Sequence, residues 1–190
     1  MITFVLLAHY EKEPCYKVSL GSLMCQTNPN WEAIVIHNGL NPELRDAIGV
    51  EFPDDRIKYK ERIEPDVTRG VINRLWAINE LVGSKYIVQS SVQDYFFPSL
   101  VQDILHSFRG DPGFIYWNSI NHLWLANDKL DARPEIRKID WGNFCIKTKV
   151  AKQVGIKELM KDEADGIFVE EVMKTGVVTC KIHSILTVHN

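Results

Sequence analysis

The chain has 190 residues, of which 45% are hydrophobic and 25% charged, with a formal net charge of −3. That length and composition predict one soluble globular domain with a substantial core, and the charge supplies no general field for nucleic acid or an anionic membrane. No apolar run approaches the ~20 residues that span a bilayer, and the chain opens on Ile2-Thr3-Phe4-Val5-Leu6-Leu7-Ala8 without a basic leader, so a cytoplasmic location is expected. Cys15, Cys25, Cys145 and Cys180 form no C-x-x-C pair, which argues against a zinc knuckle or a disulfide scaffold and predicts reduced, partly buried thiols.

In chain order, Ile2 to Ala8 reads as a strand buried on both faces, closed by His9-Tyr10-Glu11. A helix starting at Pro14 carries Val18, Leu20, Leu23 and Met24 as its apolar stripe and breaks at Asn28-Pro29-Asn30. Trp31 to Ile36 is a second buried strand, and His37-Asn38-Gly39 after it suits a tight left-handed turn. Strand, helix, strand at this spacing implies a right-handed parallel unit. A short helix follows over 42–48, and 56–60 alternates as a third, more exposed strand. From Arg69 to Val82 the apolar positions recur at helical intervals, with Gly83 as C-cap. Tyr86 to Gln89 is a buried strand that runs into Ser90-Ser91-Val92-Gln93-Asp94 and then into Tyr95-Phe96-Phe97-Pro98. In open α/β sheets ligands bind beyond the carboxyl ends of strands, so 91–94 is expected at the rim of a site.

Leu100 to Phe108 is a further amphipathic helix. The rhythm then changes: 114–117 and 122–125 read as antiparallel strands with a turn at Asn127-Asp128, 143–147 as another strand, 148–154 and 162–174 as helices, and 177–188 as a β-rich tail. The expected fold is α/β: a Rossmann-like mixed sheet with helices on both faces and a small antiparallel addition. A dinucleotide-dependent oxidoreductase is disfavoured, because no G-x-G-x-x-G follows the first strand.

Three stretches resemble one family. Gln26 to Gly39, with its Trp31-Glu32 pair and its strand closing on a turn, the 86–98 segment, and Ala164-Asp165 with Glu170, Glu171 and Gly176 downstream are similar to the nucleotide-sugar glycosyltransferases of family 2, which have the GT-A fold. The resemblance implies a single domain over 1–190, with a nucleotide-sugar-binding half over 1–98 and an acceptor and catalytic half over 99–190. It implies an inverting glycosyltransferase that moves a sugar from a nucleotide diphosphate sugar, UDP-sugar foremost, to an acceptor hydroxyl. The matching positions make His9, Tyr10, Glu11, His37, Asn38, Gly39, Arg69 and Gln93 the nucleotide-sugar-binding set, Asp165 the catalytic base, and Asp94 with His189 the ligands of a divalent cation, Mn2+ or Mg2+.

The departures are equally specific. Ser91-Val92-Gln93-Asp94 stands where the family has Asp-x-Asp-Asp, and His37-Asn38 where it has a nucleoside-contacting aspartate. A degenerate binding module with little or no transferase activity is therefore the alternative. Each residue also has a plainer use. Tyr10 either stacks on a base or packs as a rim aromatic, and His189 is either a ligand or a tail residue. Arg69 and Lys60 either meet the leaving charge or lie on the surface. Asp165 is either a base or a helix cap, and a helix N-terminus would not raise its pKa. Trp117, Trp124 and Trp141 form either a sugar-stacking platform or core. Glu170 and Glu171 read as solvated face.

Overall fold

A computed structural model describes residues 1–9, 15–64, 68, 70–121, 128–156 and 163–189. Nine strands form one mixed sheet. Four are parallel: β1 (Ile2–Ala8), β2 (Trp31–Asn38), β3 (Ile57–Arg62) and β4 (Tyr86–Ser91). The others are β5 (Tyr95–Phe96), β6 (Phe114–Asn121), β7 (Asp128–Leu130), β8 (Phe144–Lys147) and β9 (Thr179–His189). The spatial order is β3-β2-β1-β4-β8-β6-β9-β5, with β7 added on β6. This is the expected mixed sheet with an antiparallel addition.

The core follows from the pleat. Phe4 and Leu6 of β1 face one layer and Val5 and Leu7 the other, because successive side chains leave a strand on opposite sides. The first layer holds α1 (Tyr16–Met24), α2 (Pro42–Glu51) and α4 (Leu100–His106) through Leu20, Leu23, Leu44, Ile48, Val101 and Ile104. The second holds α3 (Val71–Trp76) with the turn after it, α5 (Thr148–Val154) and α6 (Ala164–Lys174) through Val71, Ile78, Val150, Ala151, Phe168 and Val169. Apolar runs such as Ile2 to Ala8 are required because both faces of β1 are covered. Asn41 caps α2, its side chain accepting from the Leu44 N–H at 3.0 Å, with Pro42 at the first helical position.

Several boundaries differ from the sequence reading. Of the stripe expected on α1, Leu20 and Leu23 are buried but Val18 and Met24 are exposed, and Tyr16, Ser19 and Ser22 are buried with the two leucines. The helix expected from Arg69 to Val82 is α3 followed by one π-helical turn, Ala77–Leu81. The strand expected over 114–117 continues to Asn121, and its hairpin partner is β7; the strand expected over 122–125 lies outside the described residues. Of the cysteines, Cys145 is buried and Cys25 exposed.

Candidate active site

The parallel register brings the ends of three strands to one edge: Ala8 pairs with His37, and Leu7 with Ser91. Immediately beyond β4, residues 91–94 make a tight turn closed by the Asp94 N–H on the Ser91 carbonyl at 3.2 Å. Asp94 is 1% exposed, and its Oδ2 accepts from the Ser90 hydroxyl and, at 3.1 Å, from the Ser91 N–H.

The register of β5 and β9 then brings in a distant residue. Tyr95 pairs with Val188 and Phe96 with Thr187 in antiparallel sense, so one step outward Asp94 faces His189. His189 Nδ1 lies 2.8 Å from Asp94 Oδ1, an ion pair when the ring is protonated. Burial works to lower the imidazole pKa, but Asp94 and then Asp140 outweigh burial and an opposing push from Arg74, lifting it to about 8.

The turn before β8 closes the cleft from the other side. Because β8 runs antiparallel to β4, with Val88 opposite Cys145, residues 140–143 arrive beside Ser90 and Asp94. Asp140 N donates to Asn143 Oδ1 at 3.1 Å, and Gly142 takes a φ of +97°. A Cβ on Gly142 would stand 2.7 Å from Ser90 Oγ and 3.1 Å from Asp94 Oδ2, so only glycine permits this approach. Asp94, Ser119, Asp140, Trp141, Gly142, Asn143, Thr187 and His189 line the resulting cleft.

Asp165 enters on the first turn of α6. Phe168 anchors that helix by packing on Trp141 and Phe144, with ring centroids 5.5 and 6.3 Å away. Gly166 lets it approach closely, since a Cβ there would stand 2.6 Å from Ile136 Cα. Contrary to the expectation for a helix N-terminus, the Asp165 pKa is pushed up, to about 7. Burial is the largest cause, followed by repulsion from Asp140, which also shares a hydrogen bond with it; the Gly166 N–H and Arg74 oppose the rise. The neighbouring Asp140 carboxyl thus opposes ionisation of Asp165.

Arg74, on α3, supplies the local cation. Its side chain is 6% exposed, and its guanidinium sits 4.6 Å from the centre of the Trp141 ring. Burial pulls its pKa down to about 10, with Asp94 and Asp165 opposing the fall, so it is a cation at neutral pH. Lys60, considered for this role, is an exposed residue of the edge strand β3.

Of the residues expected to bind nucleotide sugar, Tyr10, Glu11 and Arg69 lie outside the described residues. His9 ends β1 against the Gly70 turn, where a Gly70 Cβ would meet its Nε2 at 2.7 Å. His37 is turned inward: Nδ1 lies 2.9 Å from the Gly39 carbonyl and Nε2 3.3 Å from Asn41 Nδ2, so neither ring nitrogen faces a ligand. Asn38 Oδ1 meets Asn73 Nδ2 at 3.4 Å, and Gly39 has a φ of +96°. Gln93 is half-buried on the 91–94 turn, its N–H donating to Ser91 Oγ at 3.3 Å. Trp117 is core, wholly buried, with Nε1 donating to Thr187 Oγ1 at 3.3 Å. Trp124 is outside the described residues, and Trp141 lines the cleft. Glu170 accepts from the Ile136 N–H at 3.5 Å and Glu171 pairs with Lys174 at 2.5 Å.

Sequence reasoning missed Arg74 and Asp140. Arg74 was detectable as a charge within the buried stripe Val71, Arg74, Ala77 and Ile78, and Asp140 as the first residue of a Gly-containing turn before a strand.

Around this cleft, Ser119 Oγ, Asn143 Nδ2 and Arg74 Nη1 are buried with no hydrogen-bond partner among the described residues. Such atoms are rare in folded proteins, and three of them around one cleft are donors open to a ligand. Stability should register the His189 pair. A histidine with a raised folded pKa contributes stability that is present below about 6.5 and lost as pH rises through about 8. Denaturant titrations at several pH values should therefore show wild type losing stability across that window, and His189→Asn lacking that component of the loss.

Comparison of the fold decides its type. Crystal structures of S. aureus TarS 1-349 match over 100% of this chain and 60% of that one, with a TM-score of 0.80 and 11% identity. The TarS complex with UDP-GlcNAc matches at 0.73 and 13% identity, over 99% of this chain and 58% of that one. The mannosyltransferase PcManGT from Pyrobaculum calidifontis, in complex with GDP-Man and Mn2+, matches at 0.75 and 13%, over 99% and 56%. The chain has the GT-A-like fold of these glycosyltransferases. It spans about 60% of the length of the TarS 1-349 structure. No family model and no curated protein matches the sequence. No helix among the described residues is long and apolar enough to cross a membrane.

Proposed function

We propose that this GT-A-like domain is an inverting glycosyltransferase that takes its sugar from a nucleotide diphosphate sugar. The observation that carries the reading is the convergence of Asp94, His189, Asp140, Asp165 and Arg74, with three unpartnered buried polar atoms, beyond the carboxyl ends of the parallel strands. The neighbours whose fold this chain shares hold UDP-GlcNAc or GDP-Man. UDP-sugar is the donor class we favour, with the nucleoside placed beyond β1 and β2 near His9, Asn38 and Gly39. Residues 1–98 then form the donor half and 99–190 the acceptor half.

In this reading the acceptor oxygen attacks the anomeric carbon while its proton passes to an Asp165 carboxylate oxygen. The bond from the anomeric carbon to the diphosphate oxygen breaks, and the diphosphate leaves with the electron pair. A carboxyl with a pKa near 7 suits general-base work at neutral pH better than an ordinary aspartate does. Arg74, under the fields of Asp94 and Asp165, is the cation that would meet part of the charge of the departing diphosphate.

Among the described residues there is no cluster of three or more metal-ligating side chains. Asp94 Oδ1 and His189 Nδ1, 2.8 Å apart, would take two positions on a divalent ion once the ring gives up its proton, and a mixed nitrogen and oxygen set favours Mn2+ over Mg2+. A cation held there would supply further positive charge to the departing diphosphate. The single carboxylate, with Gln93 where a second would stand, is what favours the alternative of a binding module without efficient turnover. A screen of nucleotide sugars for donor hydrolysis separates the two. The transferase releases nucleoside diphosphate together with the sugar in inverted anomeric configuration, followed by NMR. Retained configuration, or binding without release, would overturn the reading.

A further inference from the structure

A second recess lies at the other end of β4. Lys85 precedes that strand, and Tyr86 pairs with Lys147 at the far end of β8, so the recess is about 20 Å from the 91–94 turn at 3.3 Å per residue. Its volume is about 450 Å³, and Lys85, Lys147, Lys149, Lys152 and Asp111 line it together with Ser84 and Thr148. In a chain of net charge −3, four ammonium groups around one concavity with a single carboxylate is a concentrated positive patch.

Part of that patch is built into the fold. Lys147 is 7% exposed, and its Nζ is held at 2.8 Å by the Asp111 carbonyl and at 2.7 Å by Asp111 Oδ2. Lys85 reaches Asp111 Oδ1 at 2.9 Å. Asp111 takes a φ of +51°, an uncommon and costly conformation for a residue with a side chain, and that conformation turns both its carbonyl and its carboxylate to the same lysine. One carboxylate is thus shared by two ammonium groups. Lys149 and Lys152, one helical turn apart on α5 and exposed, have no ion pair among the described residues. Like charges at that spacing repel, and nothing protein-borne among the described residues offsets them.

We infer that this recess is an anion site, separate from the transfer cleft, that takes a phosphate group between Lys149, Lys152 and the Lys85-Asp111-Lys147 network. A phosphate monoester carries between one and two negative charges near neutral pH, matching the two unpaired ammonium groups, and compact ammonium charges suit phosphate oxygens. The source is either a soluble phosphorylated molecule or a phospholipid headgroup, and one set of measurements distinguishes them.

Inorganic phosphate titrated into the full chain should move the backbone amide signals of Lys85, Thr148, Lys149 and Lys152, and the Lys149→Gln/Lys152→Gln variant should bind at least tenfold more weakly. If free phosphate leaves those signals in place but the wild type sediments with vesicles of phosphatidylglycerol and phosphatidylcholine, and the double variant does not, the phosphate belongs to a lipid headgroup. Absence of both effects, or equal binding by wild type and variant, overturns the inference. UDP affinity, read in the same samples, should be unchanged by the double substitution. A chain that shows the lysine effects but binds no UDP would therefore sink the transfer reading and leave this one standing.

Discussion

Replacing Asp165 with asparagine should lower the rate of sugar transfer by about 10²–10⁴-fold, the range supplied by a placed general base, while UDP affinity stays within about twofold of wild type. The substitution keeps the shape of the first turn of α6 and the acceptor for the Gly166 N–H, which donates at 2.7 Å to Asp165 Oδ1, so a loss of activity cannot be assigned to a displaced helix. A second readout moves the other way. The folded carboxyl, raised to about 7, holds its proton more tightly than the unfolded one, so the contribution of Asp165 to stability is present at low pH and lost as pH rises from about 4 to 7. The asparagine variant does not undergo that loss. Its unfolding temperature should exceed wild type at pH 8 and converge with it near pH 4, each 1 kcal/mol recovered being worth about 2–4 °C in a chain of this size. A residue that served only to cap α6 would give the opposite result, lower stability with transfer intact.

The second large effect is at Asp94. Its carboxylate is where the Ser90 hydroxyl, the Ser91 N–H and His189 meet, and its field also reaches Arg74. Asp94→Asn keeps the size of the side chain and removes the charge. We expect at least a hundredfold fall in kcat/KM and loss of any response of nucleotide binding to Mn2+. The His189 pKa should drop from about 8, since burial and Arg74 would then be opposed by Asp140 alone. NMR titration of the His189 ring protons reads that drop directly. A His189 pKa unmoved by the substitution would show that some other group holds the imidazolium. Breaking a buried pair of this kind costs about 3–5 kcal/mol when both partners are fully dry. His189 keeps about a third of its side chain in water, so a smaller loss of stability is expected.

Strands β1, β2 and β4 were legible because each is covered by helices on both faces and must be apolar throughout. Asp94 stood out as the carboxylate at the end of such a strand, and Asp165 through its place at the start of the last helix. What could not be read locally depends on pairing across long stretches of chain. The two-residue strand β5 exists only because Phe96 and Tyr95 find partners in Thr187 and Val188, and that pairing is what carries His189 to Asp94. The Asp165 pKa was misjudged for the same reason. A helix N-terminus favours an anion, but burial and a second carboxyl 25 positions earlier in sequence dominate, and neither is visible in the residues around 165. The stripe on α1 was right at Leu20 and Leu23 but misplaced at Val18 and Met24: Ser19 and Ser22 take buried positions because their hydroxyls bond to the Tyr16 and Ser19 carbonyls at 3.3 and 2.8 Å, which polarity alone does not reveal.

The central claim is that the edge of the sheet beyond β1, β2 and β4 forms one cleft for a nucleotide diphosphate, facing Asp94, His189 and Asp165. Calorimetric titration of the full chain with UDP and with GDP, each with and without Mn2+, tests it most directly. The account predicts saturable one-to-one binding of at least one nucleotide, tightened by Mn2+ in wild type and indifferent to Mn2+ in Asp94→Asn. No binding of either nucleotide in either condition would contradict it.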